Sequence, residues 1–466
     1  MSIQASDPSF RAFAEELRNW DKGLDLNKLG LENARKLVSD RYGIVLRVVE
    51  RTHDWDDAYT HSIGSTGAEA QFTLGNSANK YNGGGWIDRD LTFLAAVGET
   101  VERYCGSYSH YELQKKSSYQ RLIAEGFQAV DPLELQMFDE RQYADPDFEF
   151  RRLTRDSVIR WVQGYDLLAG TVIYYPASLI LLTRFADVDG RSIGYSTSSG
   201  LASHSTPLEA ILAGAYEQAE RDAFAVAWYG NLTLPCIDPY SNPELARFWR
   251  RYIEPSGVDV KLVNLSEINR VPTVAAVSVN HFTQVAPIAF GASSSAKLLD
   301  ACKSAAVESL QTRNWVKANQ RDTTELIGID DDLGEKIKDF EDHITFYIST
   351  PASEKAKFFF SGKLEPLDEK YDLISSGSRF DELQMLVDIS KRQGGRVLTF
   401  NLTTPDVASA GPHVYKTLIH GFQQLDCGYS RRFLGGRRLK DKPFELGHAG
   451  RPLELHQLNP WPHPFP

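Results

Sequence analysis

Apolar residues recur at helical spacing in three long segments of the chain, and this pattern predicts three long helices. The first covers residues 91–105, the second begins after Thr206, and the third covers residues 298–315. Elsewhere, shorter helical patterns alternate with runs rich in β-branched residues, such as VDVKLVNL at 258–265 and VLTFNLTT at 397–404. Helices interleaved with such strands predict a mixed α/β (α+β) fold.

Two of the long helices have clear start signals. Asp88 or Asp90 is expected to cap the first helix, since a side-chain oxygen there can accept from free backbone N–H groups. For the second helix we predict Thr206 as the N-cap, Pro207 at the first helical position and Glu209 at the third. This order is the capping-box pattern, so Glu209 has a structural explanation of its own.

The patterning divides the chain into two parts of unequal size. Residues 1–60 are expected to form an accessory helical segment, because residues 8–39 have helical spacing and many charges. Residues 61–466 are expected to form the main domain. Within it, the charged stretch 320–377 has weak periodicity and is interpreted as a mobile flap, and residues 460–466 form a proline-rich tail.

The most apolar stretch of the chain is LLAGTVIYYPASLILL at 167–182. It is too short to cross a membrane as a helix and contains an internal glycine and proline. We therefore predict that it forms a strand, a turn and a second strand.

Composition narrows the range of partners and compartments. The chain has 466 residues, 42% of them hydrophobic, and a formal net charge of −11, which argues against nucleic acid because phosphate binding requires a positive surface. We expect no secretory signal, because the first residues lack a basic segment followed by an apolar one. The cysteines lack the spacing of zinc or disulfide sites, so we expect the reducing cytoplasm; they are Cys105, Cys236, Cys302 and Cys427.

Two of the predicted helices place several carboxylates on one face. At about 100° per residue, Glu209 and Glu220 fall within about 20° of each other, and Glu217 lies roughly 80° from Glu209. In the first helix, Glu99 and Glu102 are about 60° apart. Apolar neighbours indicate that the second helix is packed on most sides, so these like charges require compensation.

Divalent cations are the best compensation for such a cluster, because Mg²⁺ prefers oxygen ligands and retains phosphate oxygens in its shell. Arg103 and Arg221 directly follow glutamates and could contact phosphate. For a single ExxER motif, a solvated face with local ion pairs is the common explanation. Two copies, each after a Gly- or Ser-rich loop, favour a shared site and leave that alternative open.

Several segments together resemble the YcaO family, and the resemblance extends from about Gln71 to the C-terminus. No single segment is specific, but their combination is. The segments are ETVERY at 99–104, WVQGYDLLAG at 161–170, GLASHSTPLEAILAGAYEQAERDAF at 200–224, AVESLQTR at 306–313 and LTTPDV at 402–407.

The resemblance implies an enzyme that binds ATP and Mg²⁺ between acidic helices and activates backbone amides of peptides. Residues 61–466 would then be the ATP-binding catalytic domain. The implied metal ligands are Glu99, Glu102, Glu209, Glu217 and Glu220, and the implied ATP-binding residues are Arg103, Arg221 and Arg313 with Glu99 and Glu220.

Two positions depart from the family pattern. Many relatives have Gly-Lys-Gly before the first acidic helix, whereas this chain has three glycines at 83–85 and no lysine. Ala95 stands where a serine is common. We hypothesise that Arg89 supplies the missing charge.

The tail PWPHPFP at 460–466 has a proline at every second residue, so it offers no PxxP register for polyproline-binding grooves. Trp461, His463 and Phe465 alternate with the prolines, and this favours an extended tail that turns inward over a frayed end. The PxPxP ending resembles that of azoline-forming family members, in which the tail lies at the active site. This implies that the carboxylate of Pro466 is a catalytic base or proton carrier.

The implied reaction is ATP-dependent cyclodehydration, which converts Cys, Ser or Thr residues of a ribosomal precursor peptide to thiazolines or oxazolines. Two alternatives stay open: thioamide or amidine formation by the same amide activation, and a non-catalytic YcaO-like scaffold that recruits peptide. The resemblance also implies a homodimer and a separate leader-binding partner similar to ubiquitin-activating enzymes. Oxidation to azoles would require a flavin dehydrogenase.

Overall fold

A computed structural model describes residues 7–20, 26–69, 80–282, 284–322, 326–373 and 377–465. In the described part of the chain, the helices are α1 Pro8–Asn19, α2 Leu26–Leu37, α3 Arg89–Ser107, α4 Tyr119–Ala124, α5 Glu140–Ala144, α6 Pro207–Tyr229 and α7 Pro243–Phe248. They continue with α8 Leu298–Asp322, α9 Leu333–Lys336, α10 Phe340–Phe346, α11 Thr350–Lys355, α12 Arg379–Arg392, α13 Pro405–Ala410 and α14 Arg438–Glu445.

The strands of the described residues form three sheets. One sheet has the order β1-β2-β3, with β1 Val45–Glu50, β2 His61–Gly67 and β3 Tyr81–Trp86. The second has the order β11-β10-β9-β8-β12, with β8 Cys236–Asp238, β9 Asp259–Asn264, β10 Thr273–Val279, β11 Ile288–Ser294 and β12 Leu364–Pro366. The third has the order β4-β5-β13-β14-β7, and β6 pairs with β5; its strands are β4 Gln114–Ser117, β5 Ile159–Asp166, β6 Thr171–Pro176, β7 Leu201–His204, β13 Arg396–Asn401 and β14 His413–His420.

The three long helices lie against these sheets. Helix α6 contacts β7 and β14 of one sheet and β10 and β11 of another, so most of its side chains are buried. Helix α3 packs on β2, β3 and β7, and α8 packs on β3, β10 and β11. The helices with the acidic motifs are therefore held by sheets on several sides, which fixes where their carboxylates point.

The predicted mixed α/β class is confirmed, and the helix starts agree closely with the predictions. Asp88 caps α3 by accepting from Leu91 N–H, and Thr206 caps α6 by accepting from Glu209 N–H. Only half of the predicted capping box forms, because the Glu209 carboxylate pairs with Arg379 instead of returning to the N-cap.

The prediction for residues 167–182 is partly wrong. One strand, β6, lies within this stretch, but its partner β5 ends before it, and residues 177–179 form a 3-10 turn. The predicted turn lies between the two strands. The apolar run continues past β6 because residues 177–181 are buried beneath α3 and its neighbours.

The N-terminal helices pack against the main domain. Phe13 of α1 stacks on Tyr165 at a centroid distance of 4.2 Å, and α2 contacts α3. Strand β1 belongs to the sheet of β2 and β3, so the helical part of the segment ends before it. The boundary at residue 60 stays a prediction.

Between residues 326 and 373, the described part of region 320–377 after α8 contains the short helices α9, α10 and α11, and many of its apolar side chains are buried. Phe346 and Phe359 are fully buried and belong to the same core as Trp228 of α6. The interpretation of this region as a flap stays a prediction. No helix in the described ranges is long and apolar enough to cross a membrane.

Candidate active site

The first acidic group lies on α3, beside the glycine strand β3. Glu99 accepts a hydrogen bond from Gly83 N–H at 2.7 Å and forms an ion pair with Arg103 at 3.0 Å. The close approach requires glycine, since a Cβ on Gly84 would lie 2.8 Å from the carbonyl oxygen of Thr92. The glycines thus let the backbone N–H of Gly83 reach the carboxylate of Glu99.

Glu102 lies one turn further along α3 and accepts from Ser203 N–H of β7 at 2.8 Å. Burial raises the pKa of Glu102 to about 8, while Arg103 lowers it. The charges of Glu217 and Glu99 raise it further. Carboxylates from two separate helices therefore share one electrostatic environment.

The second acidic group lies on α6. Glu217 accepts from Gly200 N–H at 2.9 Å and pairs with Arg221 at 3.1 Å. Arg221 also forms an ion pair with Glu220, so a single guanidinium holds both glutamates. Both carboxylates thus accept a hydrogen bond from a glycine N–H: Glu217 from Gly200 in the Ser-rich loop before α6, and Glu99 from Gly83 in β3.

A third helix contributes Glu308, which sequence reasoning did not single out. This residue of α8 accepts from Ala292 N–H at 3.3 Å. Burial raises its pKa to about 7, Arg221 lowers it, and the charges of Glu217 and Glu99 raise it. The sequence does contain a sign of its role, because Glu308 lies in the family-like segment AVESLQTR, five residues before Arg313.

Lys416 on β14 is a further missed residue. Its ammonium is buried and donates to the carbonyl oxygens of Thr197 and Ser199 at 2.6 and 2.7 Å. Burial lowers the pKa of Lys416 to about 7, and Glu217 raises it. The sequence does not predict Lys416 as a site residue, because a single lysine inside a strand is common. Its position at the site depends on the pairing of β14 with β7.

Two predicted site residues lie in other ion-pair clusters. Glu209 forms a two-point ion pair with Arg379, at 2.9 and 2.8 Å. Arg313 is 1% exposed and pairs with Asp56. Among the described residues, neither has a hydrogen bond or ion pair with the other predicted site residues.

Arg89, which we hypothesised to replace the missing lysine, points away from the acidic group. Its side chain is 70% exposed and pairs with Glu50 at 2.8 Å. In this structure it therefore adds no charge to the glutamates of α3 and α6.

The described part of the C-terminal tail runs inward and reaches the acidic group at Phe465. Phe465 is fully buried and packs on Phe224 of α6 at a centroid distance of 4.9 Å. The guanidinium of Arg221 lies 4.3 Å from the centre of the Phe465 ring. Pro466, the predicted proton carrier, lies outside the described residues.

A cavity of about 280 Å³ opens beside Glu102, between α2 and α3. Its walls are mainly apolar, with Leu37, Leu94 and Val101 among them, and Asn27 and Ser203 add polar groups. An apolar slot with a few hydrogen-bonding groups at one end is typical of small-molecule sites.

The residues brought together fit divalent cations. Five carboxylates (Glu99, Glu102, Glu217, Glu220 and Glu308) face three basic side chains, and one of these, Lys416, has a lowered pKa. The carboxylates supply only oxygen donors, which magnesium prefers. Fold and site together define a mixed α/β protein with an oxygen-donor centre between three helices.

The chain belongs to the YcaO family. Residues 89–423 match the family model described as YcaO cyclodehydratase, ATP- and Mg²⁺-binding. This range contains the acidic groups on all three helices.

Solved structures have the same fold. A heterocyclase in complex with substrate and cofactor superposes with a TM-score of 0.71 at 23% identity over 94% of this chain and 57% of that chain. YcaO from Methanopyrus kandleri, bound with AMPPCP and Mg²⁺, superposes with a TM-score of 0.60 at 17% identity over 88% and 94% of the two chains. The chain thus spans little more than half the length of the first of these proteins.

One curated relative is an uncharacterized protein from the tfuA 3′ region of Rhizobium leguminosarum bv. trifolii. It is 42% identical over 69 residues, which are 15% of this chain and 16% of that protein.

Proposed function

We propose that this protein is an ATP-dependent peptide cyclodehydratase that converts Cys, Ser or Thr residues of a precursor peptide to thiazolines or oxazolines. One observation carries the proposal: Phe465, the last described residue of the tail, is buried and contacts Arg221, which pairs with Glu217 and Glu220 of α6. In this proposal, the metal–triphosphate centre and the candidate proton carrier, Pro466, would lie next to each other. The family's ATP and Mg²⁺ binding supports this assignment.

In this proposal, Glu99, Glu102, Glu217 and Glu220 hold Mg²⁺, and Glu308 joins them. Arg103 and Arg221 are already at the carboxylates and would turn toward phosphate oxygens when ATP is present. Glu209 could bind metal only if its ion pair with Arg379 breaks. Arg313 could bind ATP only if its ion pair with Asp56 breaks.

The cavity beside Glu102 would take the adenosine part of ATP. Its apolar walls suit a purine ring, and Glu102 would place the triphosphate end at the metal. The accessory segment has a role in this arrangement, because α2 forms one wall of the cavity.

The cavity assignment predicts the effect of substitutions at Gly98. Gly98→Leu would fill the slot and is expected to weaken ATP binding at least ~30-fold, measured by calorimetry, since the purine loses its apolar contacts. Gly98→Ala is the matched control, because its Cβ would have ordinary contacts at 3.9 and 4.0 Å with Ser203. Equal ATP affinity in the leucine variant would contradict this placement of the base.

The proposed chemistry begins when the side-chain sulfur or oxygen attacks the preceding amide carbon and loses its proton. A five-membered ring forms, and the former carbonyl oxygen becomes a poor leaving group. ATP supplies its γ-phosphoryl group to this oxygen and departs as ADP. Phosphate then leaves, the ring nitrogen loses its proton, and a C=N bond forms.

The residues of the chain would bind, orient and move protons in this sequence. Arg103 and Arg221 would stabilise the transferring phosphoryl group, as cationic side chains at a partly buried site do effectively. The tail, ending in PxPxP, would bring the carboxylate of Pro466 close to the nitrogen that must lose a proton. This feature favours azoline formation over thioamide or amidine formation.

The direct test is to supply a precursor peptide and its leader-binding partner, then measure phosphate release and peptide mass together. We expect one phosphate released and one water lost for each modified residue. Peptide that binds without phosphate release would indicate a recruiting scaffold. Phosphate release with a mass change other than water loss would indicate thioamide or amidine formation.

The partner in this test is a separate leader-binding protein similar to ubiquitin-activating enzymes. We also propose that the chain acts as a homodimer in the cytoplasm. A flavin dehydrogenase would be needed only if the azolines are oxidised to azoles.

A further inference from the structure

The tail is held along its length by hydrogen bonds from the core. Trp228 Nε1 donates to the Trp461 carbonyl at 3.1 Å, and the hydroxyl of Tyr347 donates to the Pro462 carbonyl at 2.5 Å. His463 follows and is fully buried. The tail therefore passes through the core of α6 and α10 before it reaches Arg221.

His463 occupies a buried cluster with His343 of α10 and Asp426 of the loop after β14. His343 Nδ1 donates to the His463 carbonyl at 2.9 Å, and His343 Nε2 accepts from Gly428 N–H at 3.0 Å. His463 Nε2 donates to the Asp426 carbonyl at 2.7 Å and lies 3.3 Å from its carboxylate. The Asp426 carboxylate is fixed in turn by the Tyr229 hydroxyl at 2.9 Å.

A metal ion is the other occupant that such a cluster suggests, because its donor atoms lie within 4.8 Å of one another. The hydrogen bonds argue against it. Both nitrogens of His343 already have partners, and only His463 Nδ1 is buried without one. A metal would have to displace the backbone N–H of Gly428 from the imidazole.

We propose that His343 and Asp426 are positioning residues that grip His463 and thereby fix the end of the tail at the acidic group. This inference rests on the proposed function of the site. Holding His463 should also fix the residues next to it, because Pro462 and Pro464 restrict the backbone on both sides of His463. Phe465, two residues after His463, then contacts Arg221, which holds Glu217 and Glu220.

The first test follows the tail itself and requires no substrate. His343→Ala is expected to speed hydrogen exchange at least ~10-fold at Trp461, His463 and Phe465, which carry the only amide hydrogens of residues 460–466. His448→Ala is the control, because this partly exposed histidine pairs with Glu267 outside the cluster. Unchanged exchange in the tail of His343→Ala would overturn the inference.

The second test separates positioning from general stability. His343→Ala is expected to lower kcat about 30- to 100-fold and to change ATP affinity less than about threefold, because small misplacements of catalytic groups have large effects on turnover. In a Phe465→Ala background the same change should lower kcat less than about threefold, since the tail is already displaced. Equal effects in both backgrounds would refute the positioning role.

Three further results complete the design. If His343→Ala does not fold, His463→Ala removes the same grip from the tail side and is expected to give the same exchange and kcat results. Stoichiometric zinc or another metal in the purified protein, with loss of tail protection on chelation, would overturn the hydrogen-bonded grip in favour of a metal site. A wild-type protein without turnover would refute the proposed function, while the exchange experiment would still decide whether His343 holds the tail.

Discussion

Glu102→Gln is expected to weaken Mg²⁺-dependent ATP binding strongly and, at the same time, to make the free protein more stable. Removing one carboxylate from the metal centre should weaken Mg²⁺–ATP binding at least ~100-fold. The ligand-free protein gains stability from this substitution. Glu102 is partly buried near Glu99 and Glu217, and burial and like charge both disfavour its ionised form. A pKa shift from 4.5 to about 8 corresponds to about 4 kcal/mol at pH 8. Because Glu102 is partly exposed to solvent, we expect the free energy of unfolding to rise by about half of this, ~2 kcal/mol.

The pH dependence gives the sign of this effect. The pKa of Glu102 rises from 4.5 in the unfolded chain to about 8 in the folded protein, so the folded protein holds more protons between these values. Its stability therefore falls as pH rises through that window. The stability difference between Glu102→Gln and wild type should be small near pH 4.5 and largest near pH 8.

Denaturant unfolding at several pH values, without and with Mg²⁺–ATP, measures both effects. Asp90→Asn is the matched control, since Asp90 is an exposed acidic residue in the first turn of the same helix. It should leave ATP binding unchanged. A Glu102→Gln protein that binds Mg²⁺–ATP as tightly as wild type would remove Glu102 from the metal centre.

A short Gly-Ser extension beyond Pro466 is expected to lower turnover by about 10²–10⁴-fold, the range of a lost acid–base group. Phe465 is fully buried against Phe224, so added residues must cross the site or pull the tail out of the core. ATP affinity should change little, because the cavity beside Glu102 is formed by α2 and α3.

Turnover by peptide mass and ATP binding by calorimetry check this prediction, and the same extension placed before Met1 is the control. An extended chain that forms azolines at the wild-type rate would rule out the proposed role of the tail. Loss of ATP binding together with turnover would show that the extension damages the whole site.

Local sequence signals predicted the elements that carry the site. Helical spacing located α3, α6 and α8, and Asp88 and Thr206 cap the first two as expected. The placement of Glu217 and Glu220 on one face of α6 could be predicted as well, because it depends only on helix geometry. Helix α8 extends to Asp322, beyond the predicted 315, and contacts made by distant residues support this extension. Val316 is buried in a cluster with Ala289 and Ile344, and Lys317 forms ion pairs with Asp56 and Asp57.

Interactions between distant parts of the chain could not be predicted in the same way. Glu209 and Arg379 are 170 residues apart, and their ion pair competes with the local capping box. Lys416 is placed by the pairing of β14 with β7, and His343 meets His463 across 120 residues. Such contacts depend on sheet order and tail path, which no local pattern encodes.

A crystal structure with a non-hydrolysable ATP analogue and Mg²⁺ tests the central claim most directly. We predict that carboxylate oxygens of Glu99, Glu102, Glu217 and Glu220 lie about 2.0–2.1 Å from Mg²⁺ ions that also bind the phosphates. The purine should occupy the cavity beside Glu102, and the end of the tail should face the γ-phosphate. Mg²⁺ and nucleotide bound elsewhere, with these carboxylates still paired only to Arg103 and Arg221, would contradict the account.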